Sequence, residues 1–325
     1  MRVVGTAAGI DIHSPDDAYF SYFNSPYIGH SLGSAIDIYP SHQEWGGDVE
    51  SPVSGRIVKI KKMKMGRPKQ FPTDEYDFAI GILPESSDTK IVRIMHCIPT
   101  VAEGDSVDLG DSLGKSLRSR YFNYWTGPHY HVEILHLESF QRSSQSLPLE
   151  LDYQFDSSQI NPSRDSVEFI INTVTDDNII GYAKNLGFSS IRDLYGLAAS
   201  VSDRGDVGIL DGGLSHYKIG GVIGTGSLPE GELVSLNGSA IGSISDVKSG
   251  ASLFLRGPSL FAFLDNIELR GLSCFIYPKQ YTKEGFPQLI LIPKFYGQFT
   301  DLFQTGQVCE LRLSSNNNMV KGKHG

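Results

Sequence analysis

Cysteine is scarce in this chain: only Cys97, Cys274 and Cys309 among 325 residues. Three widely spaced thiols make neither a disulfide framework nor a CxxC metal pair, so buried free thiols in a reducing compartment are expected. No run of about 18 apolar residues is present that would span a membrane. The N-terminal stretch MRVVGTAAGIDIHSPDD meets Gly, Asp and His too early for the apolar part of a signal peptide. A cytoplasmic protein with no membrane partner is therefore the expectation. Positive charge is also short, with 28 Lys and Arg against 37 Asp and Glu and a net charge of -9. That balance excludes a broad phosphate-binding face, so no nucleic-acid partner is expected. The one basic run, Lys59–Lys69 (KIKKMKMGRPK), reads as a solvated strand and loop. The chain also lacks HExxH, so no helix-borne glutamate offers itself as a general base.

What is present is an ordinary soluble composition, 40% hydrophobic and 20% charged, at a length that suits two domains. Glycine is abundant (35 residues), and the apolar runs are short and β-branched. Arg56–Lys61, Phe78–Leu83, Ile91–Met95 and His129–Leu135 read as strands. Residues 138–164 turn polar and irregular, which sets the expected boundary between a domain at 1–164 and another at 165–325. In the second, Ile179, Ile180, Ala183, Leu186, Ile191, Leu194 and Leu197 recur at three- and four-residue steps. Helices broken near Gly187 are expected there. The fold class expected is mainly β, with a smaller α+β domain at the C-terminal end.

Three segments carry the chemistry. In Gly127–Ile134 (GPHYHVEI), residues two apart in a strand share a face, so His129 and His131 project together while Tyr130, Val132 and Ile134 face a core. In Gly29–Ile38 (GHSLGSAIDI), His30 and Asp37 stand seven positions apart, and Gly33 and Ser34 offer a loop that lets both converge. A neutral imidazole and a carboxylate are ligand types that zinc accepts. Arg93–His96 (RIMH) ends an apolar strand with a third histidine, and Val101–Gly114 (VAEGDSVDLGDSLG) reads as strand, turn, strand.

Taken in order, these segments resemble the lysostaphin-type zinc endopeptidases from about Tyr27 to Pro162. Glu50–Lys59 (ESPVSGRIVK), RIMH, VAEGDSVDLGDSLG, GPHYHVEI and Ile160–Pro162 (INP) match five family elements. The His30 to Asp37 spacing departs from that family, which normally has three residues between the two. HSLGSAID is instead similar to the D-Ala-D-Ala carboxypeptidases, which share the metal-site plan. The resemblance implies a barrel-sandwich N-terminal domain, a zinc ion held by His30, Asp37 and His131, and His96 and His129 as catalytic partners beside a bound water. It implies hydrolysis of a peptide bond in a peptide or peptide-like substrate. A catalytically silent scaffold of the same fold, binding a peptide or protein, is the alternative. The second domain matches no family, and its short strands suit specificity, partner binding or a homodimer equally.

Overall fold

The computed structural model describes residues 1–42, 44–153, 157–159, 166–201, 206–224, 228–256 and 260–314. Strands make up 53% of the chain and helices 4%, so the fold is mainly β. It divides into two compact units, one of Met1–Tyr22 with Tyr27–Asp152 and one of Phe23–Pro26 with Tyr153–Gly325. The expected boundary at 164 and the INP motif fall outside the described residues. No helix among the described residues is long and apolar enough to cross a membrane.

The first unit opens with the hairpin β1 (Arg2–Ala7) and β2 (Ile10–Ser14), then β3 (Tyr19–Ser21) and the one-turn helix α1 (Ile28–Ser31). β4 (Ala35–Tyr39), β5 (Asp48–Glu50), β6 (Gly55–Lys64), β7 (Tyr76–Pro84) and β8 (Lys90–Met95) follow. Four more complete it: β9 (Cys97–Pro99), β10 (Ser106–Val107), β11 (Ser112–Ser116) and β12 (Tyr130–His136). The main sheet is antiparallel in the order β10-β6-β7-β8-β12-β4-β3, and β5-β11-β9 form a small second sheet. The four runs read as strands in the sequence correspond to β6, β7, β8 and β12.

Alternation along the central strands explains how this sheet holds a polar site. Ile36, Ile38, Ile80, Ile82, Val92, Ile94, Val132 and Ile134 are fully buried. On β4, β8 and β12 they point to one face, while Asp37, Arg93, His131 and Glu133 point to the other. Each buried aliphatic side chain contributes roughly 1.5–3 kcal/mol, which offsets the cost of enclosing a polar row behind it. Farther along that second face the lining becomes apolar again, as Ala79, Ile91, Leu135 and Phe140 cluster.

The second unit is β-structured, and the expected α+β character is corrected. Of the residues read as helical, all but Leu186, which lies in the connection between the first two, fall in the strands Ile179–Ala183, Phe188–Ile191 and Leu194–Val201. Among its described residues only the short 3-10 turn Lys279–Tyr281 is helical. Nor is this unit the smaller, since it spans the longer part of the chain. Six of its strands close a ring. Leu194–Val201 pairs with Asp206–Leu214, which pairs with Ile219–Ile223 and onward to Ala251–Arg256. Ser239–Lys248 and Leu233–Leu236 then lead back to Leu194–Val201. Closure leaves those strands no open edge.

Candidate metal centre

His131 on β12 lies directly opposite Asp37 on β4, and on its other side opposite Met95, the last residue of β8. Directly opposed residues of antiparallel strands share a face, so register alone sets His131 beside Asp37. The distance from His131 Nδ1 to Asp37 Oδ1 is 2.7 Å. His30 arrives from α1. Gly33, at φ +65°, turns the chain so that β4 starts at Ala35 and Asp37 points back toward the helix. Ser34 fastens this turn, its N–H and hydroxyl both donating to Gly29 O at 2.9 and 3.0 Å. The six intervening residues thus end the helical turn, reverse the chain and supply the first two strand positions. His30 Nε2 lies 3.2 Å from both His131 Nδ1 and Asp37 Oδ1.

These three buried residues form the one group among the described residues whose ligand atoms converge in this way. The donor set suits a cation. His30 Nδ1 lies 2.6 Å from Tyr22 O, and a carbonyl only accepts, so Nδ1 carries a proton and Nε2 is the nitrogen turned toward the other two residues to serve as a ligand. Two imidazole nitrogens and one carboxylate oxygen match zinc chemistry. Glu133 backs His131 from the other side, with Oε1 3.1 Å from Nε2 but off the line of a well-formed hydrogen bond. Arg93, opposite Glu133 in the sheet, forms an ion pair with it and also donates to Phe140 O and Ser143 Oγ. A Cβ at Gly29 would press on Glu133 Oε1, so the glycine leaves that carboxylate its place.

Two further histidines flank the trio. His129 precedes β12 on the same face, its Nε2 3.7 Å from Asp37 Oδ2 and its Nδ1–H donating to Gly127 O at 2.9 Å. His96 follows β8 in the left-handed region at φ +69°. Its Nδ1–H donates to Asp77 Oδ2 at 2.7 Å, and the Ser119 hydroxyl donates to the same oxygen at 2.7 Å. The His96 and His129 ring centroids lie 5.4 Å apart. Phe122 packs against both, at 4.4 and 5.1 Å, and Tyr39 covers His129 at 4.9 Å.

Electrostatics separate these groups. Burial disfavours the Asp37 carboxylate, but the surrounding histidines outweigh it and hold its pKa well below the usual range. Burial dominates at His129 and pushes it down to about 4 despite Asp37, so at neutral pH it is an uncharged base. At His131 burial is outweighed by the Asp37 and Glu133 carboxylates, which raise it to about 9 while no cation occupies the trio. Asp77 is lowered although burial opposes it, because His96 and Ser119 face its oxygens.

The family model described as "Domain of unknown function (DUF8155) N-terminal domain" matches residues 12–151. The first unit matches a family of unknown function. No curated protein matches the chain. Two solved structures are similar to it. One is described as the NMR solution structure of lysostaphin, at 15% identity and TM-score 0.25, covering 74% of this chain and 87% of that one. The other is described as the antimicrobial peptidase lysostaphin from Staphylococcus simulans, at 14% identity and TM-score 0.24, covering 76% and 92%. At such TM-scores the likeness carries no weight, and the centre stands on its own geometry.

All five residues singled out in the sequence, His30, Asp37, His96, His129 and His131, meet in this one place. Ser34 does not line it, because its hydroxyl is engaged with Gly29 O and Ser146. Sequence reasoning missed Glu133, Arg93 and Asp77. Glu133 was within reach, since it stands two positions after His131 and shares its face. Asp77 lies far from every motif and carried no signal.

Proposed function

We propose that the first unit is a zinc-dependent hydrolase of peptide or amide bonds. The observation that carries this reading is the convergence of His30 Nε2, Asp37 Oδ1 and His131 Nδ1, with two more histidines beside them. When bound, zinc lowers the pKa of a coordinated water to about 7 and polarises a carbonyl oxygen. The chain supplies the proton handling. His129, kept neutral by burial and tied through Nδ1, presents Nε2 as the base that takes the proton from the attacking water. His96, anchored through Nδ1–H by Asp77, presents Nε2 beside His129, and its doubly protonated ring would donate Nε2–H to the substrate oxygen as charge develops on it. Phe122 and Tyr39 restrict water around both rings, which strengthens these interactions.

Metal analysis of the full-length protein tests the reading. About one zinc per chain is expected in the native protein and none in His131→Ala. Absence of zinc from the native protein after incubation with the metal would remove the hydrolytic reading and leave a peptide-binding scaffold.

A further inference from the structure

The two catalytic histidines stand at the inner end of a wall of rings that continues outward. Phe122, in contact with both, lies 5.4 Å from Trp45. The Arg118 guanidinium lies over Trp45 at 5.9 Å and over Phe71 at 4.5 Å, and it donates to Tyr124 O at 2.5 Å. Phe71 meets Tyr124 edge-on at 6.2 Å, and Tyr124 meets Trp125 at 4.8 Å. Trp45, Phe71, Tyr124 and Trp125 are all half-buried. Phe71 sits in the connection between β6 and β7. That connection is fastened to the 118–129 loop by Asp74 N–H to Arg118 O at 2.8 Å and Arg120 N–H to Asp74 O at 2.9 Å.

This same hairpin concentrates the positive charge of the chain. From Arg56 to Glu75 there are seven cations against two carboxylates, in a protein whose net charge is -9. Glu75 is engaged by Lys64 at 3.0 Å and Arg120 at 3.7 Å. Arg67 and Lys69, at the tip, are exposed and make no ion pair among the described residues. A field of opposite sign to the rest of the surface draws anions to this edge while the remaining surface repels them. A planar guanidinium stacked on rings adds a fork that suits carboxylates, and flat ring faces suit a peptide backbone.

We propose that the Arg67–Lys69 tip and the Trp45–Arg118–Phe71 wall form the substrate subsite of the metal centre, selecting peptides with carboxylate side chains. The choice of a peptide rests on the hydrolytic reading above; the choice of an anion rests on the charge and ring geometry of the hairpin.

Trp45 and Trp125 are the only two tryptophans of the chain, and both stand on this wall, so their fluorescence reports occupancy without turnover. The full-length protein, zinc-loaded and zinc-stripped, is titrated with a glutamate-rich peptide of about ten residues and with its glutamine counterpart. A saturable emission change is expected, roughly tenfold tighter for the glutamate peptide at low salt and levelled near 0.5 M salt. The double variant R67E/K69E, confined to exposed positions, should lose that preference with zinc content and circular dichroism unchanged. Equal affinity for the two peptides overturns the proposal, as does a preference that survives in R67E/K69E. An equal response to a single-stranded oligonucleotide also overturns it, by making the hairpin a general polyanion surface. A glutamate preference in protein that takes up no zinc supports the acidic-peptide surface and sinks the hydrolytic reading alone.

Discussion

Loading zinc onto the metal-free protein should expel a proton from His131. Its ring lies between two carboxylates, with Asp37 Oδ1 2.7 Å from Nδ1 and Glu133 Oε1 3.1 Å from Nε2. These outweigh burial and raise its pKa to about 9. At pH 7 the imidazole is therefore about 99% protonated, and the proton occupies the Nδ1 lone pair that a metal needs. The two pH units between 7 and about 9 cost about 3 kcal/mol of apparent affinity, on the order of 100-fold. Zinc affinity should rise about tenfold per pH unit up to about 9 and level off above it. Asp37, already ionised, and His129, held near 4, add nothing to the slope in this range. Calorimetric titration at pH 7 in buffers of different ionisation enthalpy counts the protons, and about one per zinc is expected. No proton released, together with an affinity flat between pH 6.5 and 8.5, would refute the reasoning. The same shift acts on folding: the His131 pKa is raised above its unfolded value of about 6.5. Its stabilisation of the metal-free protein is thus fully present below about 6.5 and lost as pH rises through about 9, amounting to at most about 3 kcal/mol.

Asp77→Asn preserves shape but removes the carboxylate charge that holds His96 Nδ1–H, so the ring loses its fixed orientation toward the substrate oxygen. Peptide turnover should fall about 10²–10⁴-fold with zinc stoichiometry unchanged, and undiminished turnover would sink the orienting role of Asp77. Glu133→Gln leaves the buried Arg93 guanidinium without its carboxylate. Thermal unfolding should show a loss of about 3–5 kcal/mol, and zinc titration a drop of about 10–100-fold in affinity; if neither changes, the Arg93–Glu133–His131 chain is idle. His129→Ala should keep its zinc while losing turnover, measured by metal analysis beside a peptide assay; release of the metal would make His129 a ligand rather than a base.

The polar centre was more legible than the fold around it, for reasons visible in particular residues. GPHYHVEI shows its meaning locally, because strand alternation by itself puts His129, His131 and Glu133 on one face. The His30 to Asp37 interval was harder, since no single periodicity spans a helical turn, a left-handed Gly33 and a strand. The second unit misled because the residues Ile179 and Ala183, four apart, satisfy helical spacing and strand alternation alike. In the structure their strand buries Ile179, Gly181 and Ala183 alternately. The β-branched pair Ile179-Ile180 and the nearby glycines were the better guide. Asp77 was invisible because its partnership with His96 and Ser119 exists only once β7 lies beside β8 and the 118–129 loop has closed over both.

The register that sets His131 opposite Asp37 also makes the centre a record of how the chain has folded. The strands that meet there come from residues 35–39, 90–95 and 130–136, and none is adjacent in sequence to the next. A slip of one residue in β12 would turn His131, with His129 just before it, toward the aliphatic core and bring Tyr130 or Val132 opposite Asp37. Tight zinc uptake is then open only to chains that have completed these distant pairings in the right alignment. In a cell, metal occupancy would sort finished molecules from misaligned ones before any substrate is met.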